Sequence, residues 1–374
     1  MPKNTFSKAP KSLSTFDKFV FEFALHGRYL LLAIAKRWMV LIAQLRGEGF
    51  YCTALEGESD YNISINSDMS VSCNCDDVFG RGYLGSLRDH SFQEIFSGPI
   101  AMRFRRELAA GRIPILECVK CWELKKTSKE KSHHFVKNYR LPNKGIMVEN
   151  TAACNLACVG CGRTHRPPMG MRMKLSDISK VADIVHDLGI QKVAYLKLGE
   201  PFLSKHILEE LTIIKNSNPS TKLSTSTTGM LVDSDKKRLA ALMFDVVVFS
   251  IDGSSQRTAE KYQRGIDFSV AYSNLRKLVE YRNSNNLTKP IIVWKYVVFN
   301  WNHKKGDVLK AIEMARSAGV DRIHFEHSFT PIYSTSLRFR LSRFWRELGP
   351  LADSFNGRGR FIDFTDFVKI TERF

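Results

Sequence analysis

A chain of 374 residues, 44% hydrophobic and 25% charged, is long enough to bury a full core and is not composed like a disordered segment. Its 56 lysines and arginines against 38 acids leave a net charge of +18, which favours an anionic partner: a phosphorylated small molecule, an acidic polymer, a membrane surface or nucleic acid. A basic solvated surface is the plain alternative, and because no Arg/Lys-rich nucleic-acid motif accompanies the charge, nucleic acid is not the expected partner.

The N-terminus, "MPKNTFSKAPKSLSTFDKF", is polar and basic and has no cleavage-site pattern after a hydrophobic core, so a cytoplasmic protein is expected. The most apolar run, Tyr29 to Leu45, is interrupted at its centre by Lys36 and Arg37, where a spanning helix tolerates charge least. It reads as an amphipathic helix packed on the protein, with docking to an anionic membrane surface as the other reading. Residues 1–47 thus form a basic helical lead-in. Residues 48–126 carry five cysteines, Cys52, Cys73, Cys75, Cys118 and Cys121, and strand-like runs such as "YNISINSDMSVSCNC". The polar stretch 127–145, punctuated by Pro142 and Gly145, reads as a linker.

From 146 the rhythm becomes alternating strand and helix. "GIMVE" is a short strand leading into a cysteine loop. "LSDISKVADIVHDLG" has apolar residues at Ile178, Val181, Val185 and Leu188, with Ser176 as N-cap and Gly189 as stop. The strands that follow are "KVAYLK", "KLSTST", "DVVVFSI", "PIIVWKYVVF" and "DRIHFEH". Six strands alternating with helices predict an α/β fold with a parallel sheet, a curved open or partial barrel, over 146–330. From Pro331 to 374 an extension contains one basic helix, "SLRFRLSRFWREL".

Seven of the eight cysteines are clustered and only Cys52 stands apart, a pattern of metal ligation rather than of a disulfide framework. Cys154, Cys158 and Cys161 are spaced C-x3-C-x2-C after the first strand of the alternating region, at the strand ends where parallel folds gather ligands. Thiolates hold iron–sulfur clusters, and a cubane normally takes four, so three leave one iron open to a substrate or cofactor. A zinc site completed by His165 is the alternative.

The loop "VENTAACNLACVGCGRT", the strand end "LKLGEP" (196–201), the turn "TTGML" (227–231), the segment "FSIDGSSQRTAEKYQRG" (249–265) and the strand end "VVFNWNH" (297–303) occur in this order. Together they resemble the radical S-adenosylmethionine (SAM) superfamily over about residues 145–330. Leu198 stands where that family usually has a first glycine, and Thr228 where it has asparagine. The resemblance implies a partial (β/α)6 barrel in which Cys154, Cys158 and Cys161 hold a [4Fe–4S] cluster and Gly199, Glu200 and Pro201 receive the methionine amino group of SAM. It puts Ser250 and Asp252 near the ribose and substrate. Glu200 is open to a second reading as a helix-start carboxylate, and Asp252 to one as a turn stabiliser before Gly253. Arg264 is either a partner of the SAM carboxylate or a solvated helix residue. The implied chemistry is one-electron reductive cleavage of SAM to a 5′-deoxyadenosyl radical that abstracts hydrogen, fed by an electron donor such as flavodoxin or ferredoxin. No catalytic side chain is assigned.

Residues 51–121 resemble the SPASM/Twitch type of auxiliary-cluster domain, with a cysteine ahead of a hairpin, cysteine after it and a closing C-x-x-C. That domain usually follows the barrel; here it precedes it. An auxiliary iron–sulfur cluster would draw four ligands from five cysteines. Cys118 and Cys121 head the set. Cys73 and Cys75 point the same way in an extended strand, which makes Cys52 the spectator, whereas the resemblance gives Cys52 a ligand's place. A zinc ribbon of Cys73, Cys75, Cys118 and Cys121 is the alternative. The expected substrate is a sugar-like or other anionic small molecule; the rivals are a peptide-modifying maturase and a non-enzymatic zinc- or nucleic-acid-binding protein.

Overall fold

The computed structural model describes residues 14–73, 79–165, 172–328, 332–348, 352–354 and 357–364. The chain forms two compact units, one of Glu22–Ala153 and Met169–Leu223, the other of Met1–Phe21, Cys154–Pro168 and Ser224–Phe374.

The first unit takes most of helix α1 (Thr15–Leu45), followed by β1 (Glu48–Cys52), β2 (Ile63–Ile65), β3 (Ser70–Cys73) and β4 (Tyr83–Ser86). Next come α2 (Phe92–Ser97), α3 (Pro99–Ala109), β5 (Leu124–Ser128), α4 (Lys129–Lys137) and β6 (Gly145–Val148), then α5 (Leu175–Asp187), β7 (Lys192–Ala194) and α6 (Ile207–Ser217). β2 and β6 pair in parallel, as do β6 and β7, while β3 and β4 continue antiparallel from β2. The hairpin residues 63–86 therefore extend the sheet that carries β6, and 48–126 shares one unit with β6 and β7 rather than standing as a separate domain. β1 and β5 pair antiparallel, and Phe50 packs with Ala43 of α1, Leu108 of α3 and Ile113.

Residues 127–145 are not a linker. They contain the end of β5 and α4, whose Ser132 is buried and donates to the Ala109 carbonyl at 3.3 Å. The polar composition misled because most of α4 faces solvent. α5 begins at Leu175, one residue before the expected cap Ser176; Lys174 is the N-cap and its N–H donates to the Asp177 carboxylate at 3.0 Å. Gly189, at φ +59°, ends that turn as expected.

The second unit contains β8 (Lys222–Thr227), α7 (Asp235–Leu242), β9 (Val246–Ser250), α8 (Gln256–Ala259), α9 (Phe268–Ser284), β10 (Ile291–Val298), α10 (Lys305–Ser317) and β11 (Arg322–His327). β8, β9, β10 and β11 are mutually parallel in that order, the arrangement that helical crossovers impose. One face of these strands is apolar: Val247, Phe249, Trp294, Tyr296, Ile323 and Phe325 are buried, and Tyr272 of α9 lies against Trp294. The expected C-terminal helix is instead two short ones, α11 (Arg338–Leu341) and α12 (Arg343–Glu347), broken where Ser342 caps the second. β12 (Ala352–Ser354) and β13 (Gly357–Asp363) add antiparallel strands beyond β11.

Candidate active site

The cysteine loop lies in the second unit and is braced from behind by the segment that follows α8. Ala157 N–H donates to Arg264 O at 3.0 Å and Val159 N–H to Tyr262 O at 2.9 Å. Leu156, Ala157 and Val159 are buried, so the loop is anchored by its apolar residues. Leu156 N–H points at the Cys154 sulfur at 3.5 Å, Arg163 donates to the Leu156 carbonyl, and Asn155 accepts from Thr228 Oγ1 at 3.3 Å. Thr228 and Gly229 form the turn after β8, and Gly229 needs its positive φ of +79° there.

Burial pushes the Cys158 thiol well above its usual range, and the neighbouring Cys161 and Cys154 push it further. A bound cation would favour the ionised form of these thiols. Among the described residues no group of three or more His, Cys, Asp or Glu side chains is gathered to hold a metal ion. A tetrahedral zinc would need sulfurs about 3.8 Å apart, from its ~2.3 Å bonds. The fit therefore rests on the donor set, which is that of a thiolate-ligated cluster. The side chain of His165, the alternative fourth ligand, lies outside the described part of the structure.

Gly199, Glu200 and Pro201 lie in the first unit, at the chain's turn into a short 3-10 segment, Pro201–Leu203. Glu200 N–H donates to Ala153 O at 2.8 Å. A side chain at Gly199 would overlap the Thr151 carbonyl oxygen and stand 2.8 Å from Ala153 O, so only glycine lets this strand end lie on residues 151–153. The Glu200 carboxylate is buried and accepts from Phe202 N–H at 3.2 Å, which is the capping role.

Ser250 ends β9, and its hydroxyl meets that of Ser226 at 2.9 Å. Asp252 is buried and accepts from Val297 N–H at 3.0 Å, tying the end of β9 to β10. Burial raises its carboxyl to about 6; Lys295 opposes the shift and Glu326 adds to it. Gln263 clamps the same turn, accepting from Asp252 N–H and donating to Ser250 O, both at 2.8 Å. Asp252 thus ties the turn before Gly253 to β10. Arg264 contributes its carbonyl to the cysteine loop.

Residues 148–295 match the Radical SAM superfamily. This segment is a radical SAM domain. Over 152 residues the chain is 26% identical to the GTP 3′,8-cyclase of Desulforamulus reducens, covering 39% of this chain and 45% of that protein. Over 163 residues it is 28% identical to the tungsten-containing aldehyde ferredoxin oxidoreductase cofactor-modifying protein of Pyrococcus furiosus, 43% of this chain and 46% of that one. The chain spans about half the length of these relatives. The solved structure of anSMEcpe with bound AdoMet overlaps 50% of this chain and 51% of its own, at 17% identity and a TM-score of 0.40.

Within the radical SAM domain and just beyond it, three polar residues went unnoticed in the sequence. Lys295 pairs in register with His324, and Glu326 follows on the same face of β11. His324 Nδ1 lies 3.2 Å from Glu326 Oε1. Burial, with Lys295 and Arg322 nearby, lowers the His324 imidazole to about 3, so it is neutral. A period-two signal was present: "WKY" sets one lysine in an apolar strand, and "HFEH" alternates polar with apolar.

Cys52 and Cys118 both pack against the Phe50 core of the first unit, and Cys121 lies near enough to act on the Cys52 thiol. Burial raises the Cys52 thiol most, and then the nearby charges of Cys121 and Cys118. Burial also raises Cys118 and Cys121. This makes Cys52 a candidate ligand beside Cys118 and Cys121, the place the resemblance gave it, while Cys75, on which the strand-geometry argument turns, lies outside the described residues. The register does it: β1–β5 pairing places Cys52 opposite Leu124, three residues after Cys121. Cys73 is buried at the end of β3, and Cys75 lies outside the described residues.

Proposed function

We propose that the protein is a radical SAM enzyme acting on a sugar-like or other anionic small molecule. Cys154, Cys158 and Cys161 would hold a [4Fe–4S] cluster, and the observation that carries this reading is the C-x3-C-x2-C loop, braced through Ala157 and Val159, inside the segment that matches the Radical SAM superfamily. When bound and reduced, the cluster and SAM together supply a hydrogen-abstracting 5′-deoxyadenosyl radical. The protein's own contribution is positional. The backbone of 199–201, pressed on 151–153, and the Glu200 carboxylate would offer acceptors to the SAM amine, the carboxylate with charge assistance. Ser250 and Ser226 offer hydroxyls for a ribose. Lys295 supplies a cation suited to an anionic substrate, and it supports the small-molecule reading over the peptide one. The parallel pairing of β6 with β7 in one unit, and of β8 through β11 in the other, supports a (β/α)6 reading.

A SPASM/Twitch-like auxiliary cluster is the second part of the proposal, on Cys52, Cys118, Cys121 and a fourth thiolate from Cys73 or Cys75. The deciding experiment is anaerobic incubation with SAM and a reductant, following 5′-deoxyadenosine and bound iron. Replacing Cys154, Cys158 and Cys161 by Ala should abolish the nucleoside yet leave part of the iron. Parent-rate nucleoside from that variant, or a colourless zinc protein, refutes the reading.

A further inference from the structure

The outer face of α1 is apolar, exposed and basic at its edges. Leu30, Leu31, Trp38 and Leu45 are 64%, 67%, 60% and 79% exposed, and Ile34 and Leu41 lie between them. At about 100° per residue these six side chains fall within a single arc of roughly 100°. The opposite face, with Met39, Val40 and Ala43, is packed against Phe50 and its neighbours. The stripe from Leu30 to Leu45 is about 22 Å long. It is therefore a solvent-facing ridge on a helix already docked by its other side, and folding of the unit does not require it.

Charge identifies what suits this ridge. From Phe23 to Gly47 the sequence holds Arg28, Lys36, Arg37 and Arg46 and no Asp or Glu. Arg37 borders the stripe on one side and Arg28 and Arg46 on the other, all three exposed. A two-fold dimer through this face would bring these arginines against their own copies, with no acid in this stretch to answer them. No helix of the described residues is long and apolar enough to cross a membrane. A helix lying in the plane of an anionic bilayer satisfies both features, since leucine and tryptophan enter the headgroup boundary while arginines meet lipid phosphates.

We infer that α1 is an interfacial anchor that seats the protein on an anionic lipid surface. The test uses the whole chain, floated with vesicles of phosphatidylcholine alone or of phosphatidylcholine with phosphatidylglycerol. Three arginines near the surface predict partition on the order of a hundredfold stronger to the anionic vesicles, weakening steeply with salt. Leu30→Glu/Ile34→Glu/Leu41→Glu should lose flotation while keeping the parent circular dichroism and elution volume, because all three sites are exposed. Arg28→Gln/Arg37→Gln/Arg46→Gln should bind both vesicles alike. Failure of the parent protein to float on anionic vesicles overturns the inference, as does flotation of the glutamate variant at the parent level. A vesicle-independent dimer that the glutamate variant dissociates overturns it in favour of a second copy.

Discussion

Gly199→Ala is the sharpest test of how the segment 196–201 lies against residues 151–153. An added methyl would overlap Thr151 O, stand 2.7 Å from Thr151 C and 2.8 Å from Ala153 O. These are backbone atoms, so no rotamer change relieves the overlap. Either residues 151–153 or the strand end must move, and the Glu200 N–H to Ala153 O bond of 2.8 Å breaks with it. Overpacking of this kind costs about 1–3 kcal/mol, and an unmade buried backbone bond adds about 1–3, for a loss of roughly 2–6 kcal/mol. Ala153 directly precedes Cys154, one of the proposed cluster ligands, in the chain. Urea unfolding should show a lower midpoint, and reductive SAM cleavage should fall by more than tenfold in the protein that remains folded. Gly27→Ala is the control: nothing lies within 4 Å of its added carbon, and mid-helix it should stabilise by up to about 1 kcal/mol. A Gly199→Ala protein with the parent midpoint and parent rate would refute the steric argument.

Glu200→Gln should weaken SAM binding by about 1–3 kcal/mol in a titration, the range for a hydrogen bond to a charged group, with iron content unchanged. In a background without Cys154, Cys158 and Cys161, Cys52→Ala should lose or alter the remaining iron and its absorption; retention of both would exclude it as a ligand. Asp252 binds its proton more tightly folded, at about 6 against 3.8, so ionising it costs stability as pH rises through that window and the penalty persists above it. The difference is on the order of 3 kcal/mol. Asp252→Asn, which keeps an acceptor for Val297 N–H, should flatten the decline between about pH 4 and 6 seen by urea unfolding. An unchanged slope would contradict the assignment.

How much of this was legible in the sequence depended on whether a signal was local. β8, β9, β10 and β11 fall where "KLSTST", "DVVVFSI", "PIIVWKYVVF" and "DRIHFEH" placed them, because each is a run with strong β-formers bounded by helix. The cysteine loop was visible for the same reason: three thiols in eight positions need no partner to be noticed. α4 was not, since its one buried polar side chain, Ser132, is meaningful only against the Ala109 carbonyl 23 residues earlier.

The fate of Cys52 shows the limit most clearly. Period-two geometry would put Cys73 and Cys75 on one side of an extended strand, but β3 ends at Cys73, and that argument concerns direction and says nothing of distance. What brings Cys52 beside Cys118 and Cys121 is antiparallel pairing across more than seventy residues, in strands whose side chains are largely half-exposed and so carry no alternating pattern. The same logic governs Lys295 and His324. Lys295 is the one charged residue of β10 and His324 one of four polar residues in β11, each unremarkable alone, and the parallel register turns them into neighbours whose charge and burial together hold the imidazole neutral. Register is a property of pairs of segments, so the chemistry that depends on it emerges only when the sheet is assembled.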